Sequence, residues 1–218
     1  MQLAVFDLDN TLIAGDSDYL WGEYLADIGA VDAEAYRLEN QRFFEEYEAG
    51  RLDIMEFLAF QLQPLSAHPP SRLRAWRQDF LKERIQPIVL PRALDLIDQH
   101  RRQNHTLIIL TATNRFITEP IADIFGVKHL LATEPEFKDG RYTGDIAGLP
   151  CFGAHKVQRL EAWMNDAGVQ QAEVWFYTDS HNDLPMMRQV KHPIAVDPDE
   201  PLREAAEKMG WPIISLRS

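Results

Sequence analysis

Cysteine is almost missing from this sequence: Cys151 is the only one, which excludes an internal disulfide and agrees with a reducing compartment. Basic residues are also scarce, with 22 Lys and Arg against 34 Asp and Glu, whereas nucleic-acid binding needs clustered positive charge. No apolar run is long enough to cross a bilayer, and the first residues lack the features of a secretory signal. We therefore expect a cytoplasmic protein that binds neither nucleic acid nor membrane.

The first thirteen residues carry the strongest local pattern. Residues 3–6 form a short apolar run that predicts a strand buried on both faces, and Asp7 and Asp9 follow it. Residues two apart in an extended chain share a face, so the two carboxylates can point to one place and would repel each other. Mg²⁺ between them would remove that repulsion. At this point a simpler reading stays open, in which Asp9 or Asn10 only caps a helix.

Residues 14–85 have helical rather than strand periodicity. Their apolar and aromatic positions recur every three or four residues, which predicts four amphipathic helices. We expect Asp32 to cap the second helix, the third to end near Pro64, and Ser71 to cap the fourth. The sequence thus predicts a core domain formed by residues 1–13 and 86–218 and a helical cap domain formed by residues 14–85.

After residue 86, apolar runs alternate with helical patterns, which predicts a parallel sheet. Residues 106–110 predict a second strand, which we expect to be followed by a hydroxyl-rich turn at residues 111–114. Further strands are predicted at residues 128–132, 173–177, 194–196 and 213–215, with a hairpin-like turn at Asp139-Gly140.

Three predicted strand ends carry polar side chains, and parallel strands place such ends at one edge of a sheet. These residues are Asp7, Asp9 and Thr11; Thr111, Thr113 and Asn114; and Asp179, Asn182 and Asp183. Lys156, which opens a helix just upstream of the third group, is a possible counter-charge. A nucleophile, an acid/base, hydroxyl donors, a cation and metal-binding carboxylates are together the parts of a phosphoryl-transfer site.

The same residues carry a family resemblance. Asp7-Leu8-Asp9-Asn10-Thr11, Thr111, Lys156 and the segment 179–183 resemble, in order, the four motifs of the haloacid dehalogenase superfamily of phosphatases. The helical insertion after the first motif is similar to the C1-type cap of subfamily IB, the phosphoserine-phosphatase-like branch. The resemblance implies an α/β fold with a doubly wound, Rossmann-like parallel sheet.

The resemblance also implies roles for individual residues. Asp7 would be the nucleophile that forms an aspartyl-phosphate, and Asp9 would protonate the leaving oxygen and then activate water. Thr111 and Lys156 would hold the phosphoryl group. The implied Mg²⁺ ligands are Asp7, Asp9 through its carbonyl, and Asp179, with Asp183 in support.

Within this branch the chain resembles histidinol-phosphatases most, through the segments Asp16-Ser17-Asp18, 113–116 and 150–152. Phosphoserine phosphatases hold the substrate carboxylate with a cap arginine, but residues 54–65 contain no Lys or Arg. Asp16 and Asp18 suit an ammonium group, although helix capping explains them as well, for Asp18 at least as readily. A small phosphorylated amino alcohol, L-histidinol phosphate above all, is therefore the expected substrate. Phosphoserine stays an alternative if Arg51 replaces the missing arginine.

The predicted substrate contacts extend beyond the motifs. They are Thr11, Asp16, Arg51, Ala112, Asn114 and Asn182. A phosphomonoesterase, a phosphotransferase that uses an alcohol acceptor and a catalytically silent binding module remain open, since the first two share every residue named here. The presence of Asp7, Asp9 and Lys156 argues against the silent module.

Overall fold

The computed structural model describes residues 1–217. Its strands are β1 (Gln2–Phe6), β2 (Thr106–Asn114), β3 (His129–Thr133), β4 (Pro135–Lys138), β5 (Arg141–Ile146), β6 (Glu173–Thr178), β7 (His192–Val196) and β8 (Ile213–Ile214). Its α-helices are α1 (Ser17–Asp27), α2 (Ala33–Glu48), α3 (Ile54–Ala67), α4 (Pro70–Phe80), α5 (Pro91–Arg102), α6 (Arg115–Ile124), α7 (Ala154–Asp166), α8 (Leu184–Met187) and α9 (Glu200–Met209).

Six strands form a parallel sheet in the order β3-β2-β1-β6-β7-β8, with β1 in its middle. Alternate residues of β1 face opposite sides: Ala4 and Phe6 pack into one hydrophobic cluster, and Leu3 and Val5 pack into the other. Helices α5 and α6 cover the first face, and α7 and α9 cover the second. The predicted doubly wound parallel sheet is confirmed, and β4 and β5 form a separate antiparallel hairpin around Asp139.

The second strand is longer than the sequence predicted. Residues 111–114 do not form a turn, because β2 continues through them to Asn114, which pairs with Thr133 of β3 after a register shift. The Thr133 hydroxyl donates to the Ala112 carbonyl at 2.7 Å and fixes this extension. The chain turns only at Asn114, whose side chain caps α6 by accepting from the backbone N–H of Ile117 at 3.3 Å.

Two predicted helix limits were also wrong. Helix α3 continues through Pro64 to Ala67. Leu65, just beyond the proline, is buried, and this burial offsets the loss of the backbone hydrogen bond that proline cannot donate. Helix α4 begins at Pro70 and is not capped by Ser71. A proline at the first helical position already has the helical φ angle and needs no N–H partner.

The four helices of the insertion share aromatic contacts, as their periodicity predicted. Tyr36 of α2 stacks on Phe60 of α3 with ring centroids 4.3 Å apart. Trp21 of α1 contacts Phe80 of α4 at 5.1 Å and also Phe116 of α6 at 5.9 Å. Because Phe116 belongs to the sheet domain, the insertion and the sheet share one hydrophobic cluster. The boundary of the proposed cap at residues 14–85 stays a prediction.

The two ends of the insertion run side by side. Ile13 and Val89 form an antiparallel bridge. The Ala14 N–H donates to the Ile88 carbonyl at 2.8 Å, and the Leu90 N–H donates to the Leu12 carbonyl at 3.2 Å. Beyond this junction the chain enters α5. Over residues 1–217, no helix combines the length and the apolar character needed to cross a membrane.

Candidate active site

Asp7 lies directly after β1, between the ends of its two neighbouring strands. Its backbone N–H continues the sheet by donating to the Tyr177 carbonyl at 2.8 Å, and its Oδ1 accepts from the Leu8 N–H at 2.8 Å. The residue is only 4% exposed. Burial raises the pKa of Asp7 to about 7 against the opposing effect of Lys156, and Asp183 and Asp9 raise it further.

Lys156, from the first turn of α7, joins two of the aspartates. Its Nζ lies 3.2 Å from Asp7 Oδ1 and 2.7 Å from Asp183 Oδ2, and all three side chains are buried. Burial alone would lower the pKa of the Lys156 ammonium, but Asp183 and Asp7 outweigh it and hold that pKa above its usual value. The Thr178 hydroxyl also donates to Asp183 Oδ2 at 2.8 Å. Lys156 is therefore a fixed positive charge beside Asp7.

Asp9 is held from two sides. Its Oδ1 accepts from the Ser17 N–H at 2.6 Å and the Ser17 hydroxyl at 2.5 Å. Its Oδ2 accepts from the hydroxyls of Thr113 at 2.8 Å and Thr111 at 3.3 Å. The residue that caps α1 is Asp16, so the simple capping interpretation of Asp9 and Asn10 is not what the structure shows.

Thr11 and Asp179 pair with each other. The Thr11 hydroxyl donates to Asp179 Oδ1 at 3.0 Å and accepts from the Asp179 N–H at 3.1 Å. Burial raises the pKa of Asp179 well above its usual value, and Asp7 raises it further. The two carboxylates are thus near enough to repel each other, and within residues 1–217 Asp179 forms no ion pair with a Lys or Arg.

These oxygen groups fit the ligand preference of Mg²⁺, which binds through one or two carboxylates and retains water. A cation would relieve the repulsion between Asp7 and Asp179. Three or more His, Cys, Asp or Glu side chains do not converge into a metal-binding group anywhere in residues 1–217. A Mg²⁺ site here would therefore depend on two carboxylates completed by main-chain oxygen and water.

A cavity of about 640 Å³, including its mouth, lies between the strand ends and the insertion. Five aspartates line it, but of the described residues in its wall Lys156 is the only lysine or arginine. The acidic residues are Asp7, Asp9, Asp16, Asp18 and Asp183. The cavity is therefore strongly acidic apart from the position of Lys156.

Asp16 and Asp18 form one wall of this cavity. Asp16 caps α1 by accepting from the Tyr19 N–H at 2.9 Å, whereas Asp18 lies in the first turn and accepts from Asn114 Nδ2 at 3.3 Å. Burial raises the pKa of Asp16 to about 7, with a further contribution from Asp9. Burial, Asp16 and Asp9 raise the pKa of Asp18 as well. The capping role that we considered for both residues thus belongs to Asp16 alone.

The structure brings some of the predicted substrate contacts to the cavity and leaves others outside it. Ala112, Asn182 and Asp16 line it. Thr11 is fully buried against Asp179, and Asn114 uses its side chain for α6 and Asp18. Arg51 is exposed and does not line the cavity, because it follows the end of α2, where its N–H bonds to the Glu46 carbonyl.

Sequence reasoning missed the part of the cavity that the insertion contributes. The sequence analysis used the aromatic positions of the insertion only to predict amphipathic helices, yet several aromatic residues of α1–α3 line the cavity: Tyr19, Phe43, Phe44, Tyr47 and Phe57. Asn40 and Gln61 line it as well. The sequence did carry a signal, because Asn40 lies three residues before Phe43 and Gln61 three after Leu58. Each is a polar residue on an apolar helix face.

The arrangement agrees with similarities to known proteins. Residues 4–188 match the model of the haloacid dehalogenase-like hydrolases. The chain is 38% identical over 219 residues to a histidinol-phosphatase of Neisseria meningitidis serogroup C (strain 8013), and the match covers 99% of each chain. A crystal structure of a protein with unknown function from Bordetella pertussis Tohama I has 42% identity and a TM-score of 0.91, with 99% of this chain and 98% of that chain covered.

A more distant structure shows the same fold. A substrate-bound phosphoserine phosphatase superposes with a TM-score of 0.72 at 20% identity, over 98% of this chain and 92% of that chain. The first-strand aspartates, the buried lysine and the acidic strand end thus lie within the region that the family model matches. This chain belongs to the haloacid dehalogenase-like hydrolase family.

Proposed function

We propose that this protein is a Mg²⁺-dependent phosphomonoester hydrolase that acts on a small phosphorylated amino alcohol, with L-histidinol phosphate as the leading candidate. Such an activity belongs to histidine biosynthesis. The observation that carries the proposal is an acidic cavity in which Lys156 lies beside Asp7. The full-length similarity to a protein named histidinol-phosphatase supports the same substrate.

In this proposal Asp7 is the nucleophile. Its carboxylate attacks phosphorus and forms an aspartyl-phosphate while the ester P–O bond breaks, and Asp9 gives its proton to the leaving alkoxide. Asp9 then takes a proton from water, which attacks the aspartyl-phosphate and regenerates Asp7. The hydrogen bonds from Ser17 and Thr113 orient Asp9 for both transfers. Hydrolysis thus returns both carboxyl groups to their starting states.

The phosphoryl oxygens need positive charge and hydrogen-bond donors. Lys156 supplies the charge, and its ion pair with Asp183 fixes its position. Thr111 supplies a hydroxyl. Asp7, the Asp9 carbonyl and Asp179 would hold Mg²⁺, with Asp183 in support. When bound, Mg²⁺ neutralises phosphoryl oxygens and favours the ionised form of Asp7.

The charges of the cavity favour an ammonium group over a carboxylate. Asp16 and Asp18 can pair with a substrate ammonium, whereas a substrate carboxylate would lie among like charges with no cation of its own. Leaving a buried charged group unpaired costs about 3 kcal/mol or more, which corresponds to a rate ratio of roughly a hundredfold. Arg51 is exposed outside the cavity. We therefore favour the amino alcohol over phosphoserine.

The test is phosphate release from histidinol phosphate and from phosphoserine, with Mg²⁺ and with EDTA. We expect a kcat/KM for histidinol phosphate at least about tenfold higher, and no turnover in EDTA. Asp7→Asn should lose more than about a thousandfold in kcat. Asp139→Asn makes the same chemical change at the hairpin and is the matched control.

Three results would overturn parts of this assignment. Equal or reversed preference between the two substrates would refute the amino-alcohol proposal, and activity in EDTA would refute the metal requirement. Transfer of phosphate to an added alcohol in place of its release would identify a phosphotransferase. Asp16→Asn should narrow the gap between histidinol phosphate and phosphoserine, because it removes one carboxylate that pairs with the ammonium.

A further inference from the structure

Two buried amide side chains of the insertion form part of the cavity wall. Asn40 of α2 and Gln61 of α3 are each 1% exposed, and both line the cavity. Gln61 Nε2 donates to Asn40 Oδ1 at 3.3 Å, and Asn40 Nδ2 donates to the Tyr19 carbonyl at 3.0 Å. The two side chains thus connect three helices of the insertion.

The hydrogen-bond capacity of this pair is only partly used. The two N–H groups of Gln61 are directed to Asn40 and to the Asp18 carbonyl at 3.4 Å, while its Oε1 accepts from the Tyr36 hydroxyl at 3.3 Å. Asn40 keeps one N–H and one lone pair beyond these contacts. A buried amide with spare capacity gains stability when a ligand completes its hydrogen bonds.

The position of Asn40 depends on a glycine in the facing helix. A Cβ atom on Gly22 of α1 would lie 2.8 Å from Asn40 Nδ2, so the Asn40 amide would have to move if this residue had a side chain. The missing side chain therefore lets the amide occupy this site. Phe43 and Phe57, whose ring centroids are 5.5 Å apart, line the same cavity. The surroundings thus combine aromatic surfaces with one hydrogen-bonding amide.

We propose that Asn40 is a specificity-determining residue that hydrogen-bonds a ring nitrogen of the substrate, and that Gln61 positions it. The inference rests on the proposed function and adds to it the residues that recognise the substrate's planar nitrogen heterocycle. Its ring packs against Phe43 and Phe57, and its N–H or its nitrogen lone pair completes the capacity of Asn40.

The experiment compares two substrates that differ in the ring. Histidinol phosphate carries an imidazole, and the O-phosphate of phenylalaninol carries a phenyl ring on the same amino-alcohol backbone. Wild-type protein should favour histidinol phosphate by about a hundredfold in kcat/KM, because the phenyl ring leaves the buried amide unpaired. In Asn40→Leu this ratio should fall to within about fivefold, and Gln61→Met should lower it by about tenfold.

Tyr36→Phe is the matched control. Tyr36 does not line the cavity, and the substitution removes only its hydrogen bond to Gln61, so the kcat/KM ratio should stay within about threefold of wild type. Equal losses for both substrates in Asn40→Leu would overturn the inference and assign Asn40 a purely structural role. If Asn40→Leu does not fold, the wild type alone still tests the inference. A wild-type kcat/KM ratio near one between the two amino-alcohol phosphates would refute it. A wild type that prefers phosphoserine to both amino-alcohol phosphates would instead refute the proposed function.

Discussion

Two buried histidines, His100 and His105, should make the free energy of unfolding of this protein decrease in acid. His100 Nδ1 lies 2.8 Å from His105 Nδ1, and its Nε2 lies 2.8 Å from the Tyr177 hydroxyl. His100 is 4% exposed. Burial lowers the pKa of His100 to about 4, and His105 lowers it further, against an ordinary value of 6.5. Between pH 6.5 and pH 4, His100 is therefore protonated in the unfolded chain but largely neutral in the folded protein.

The size and sign of the effect follow from linkage. A group with a lowered folded pKa stabilises the fold fully above its unfolded pKa, and this contribution is lost as the pH falls from 6.5 towards 4. A difference of two to three pKa units corresponds to about 3 kcal/mol. His100→Gln removes the titrating group. Its stability deficit relative to wild type should therefore shrink by about 2 to 3 kcal/mol between pH 7 and pH 4.5.

The measurement is urea unfolding of both proteins at several pH values in EDTA, with the difference between their free energies of unfolding as the readout. Taking this difference cancels the acidic-site contributions that the two proteins share. His129→Gln is the matched control, because His129 is exposed on β3 and its curve should parallel that of wild type. Parallel curves for His100→Gln and wild type would refute the reasoning.

Three further predictions concern the candidate site. Lys156→Met leaves Asp7 and Asp183 buried without their cation and should cost about 3 to 5 kcal/mol in the free energy of unfolding, measured by urea titration at pH 8; an unchanged midpoint would contradict the ion-pair geometry. Asp9→Asn should slow both proton transfers by about a hundredfold or more and accumulate phosphorylated Asp7, seen as added mass; wild-type rates would remove Asp9 from the mechanism. Asp179→Ala should raise the Mg²⁺ concentration needed for half-maximal activity, and an unchanged Mg²⁺ titration would exclude Asp179 as a ligand.

The sheet and its acidic edge could be predicted because each depends on local sequence. A buried parallel strand needs a continuous apolar run, and residues 3–6 and 106–110 have one. The ends of such strands meet at one edge, which brings Asp7 to Lys156 and Asp183. The extension of β2 to Asn114 could not be predicted in this way, since it depends on pairing with Thr133 of another strand.

The substrate end of the cavity was harder to predict because helical periodicity does not say what a helix face contacts. The aromatic face of α2 packs in part on α3 and in part lines a cavity, and both uses have the same spacing. The role of Gly22 is equally invisible, because it depends on Asn40 approaching from another helix. The prediction that α3 ends near Pro64 was wrong. Proline usually interrupts a helix, but here the burial of Leu65 beyond it favours continuation of the helix.

The junction between the two ends of the insertion has a consequence for how the chain folds. Leu3 of β1 pairs with Thr106 of β2, so a folding chain must close a loop of roughly 100 residues to join the two strands. Once the bridge between Ile13 and Val89 has formed, the loop that remains is only roughly 25 residues long, which lowers the entropic cost of closure by about 1 kcal/mol. The entropic cost of the insertion is thus carried by the contact between its own two ends, and the pairing of β1 with β2 then closes a short loop.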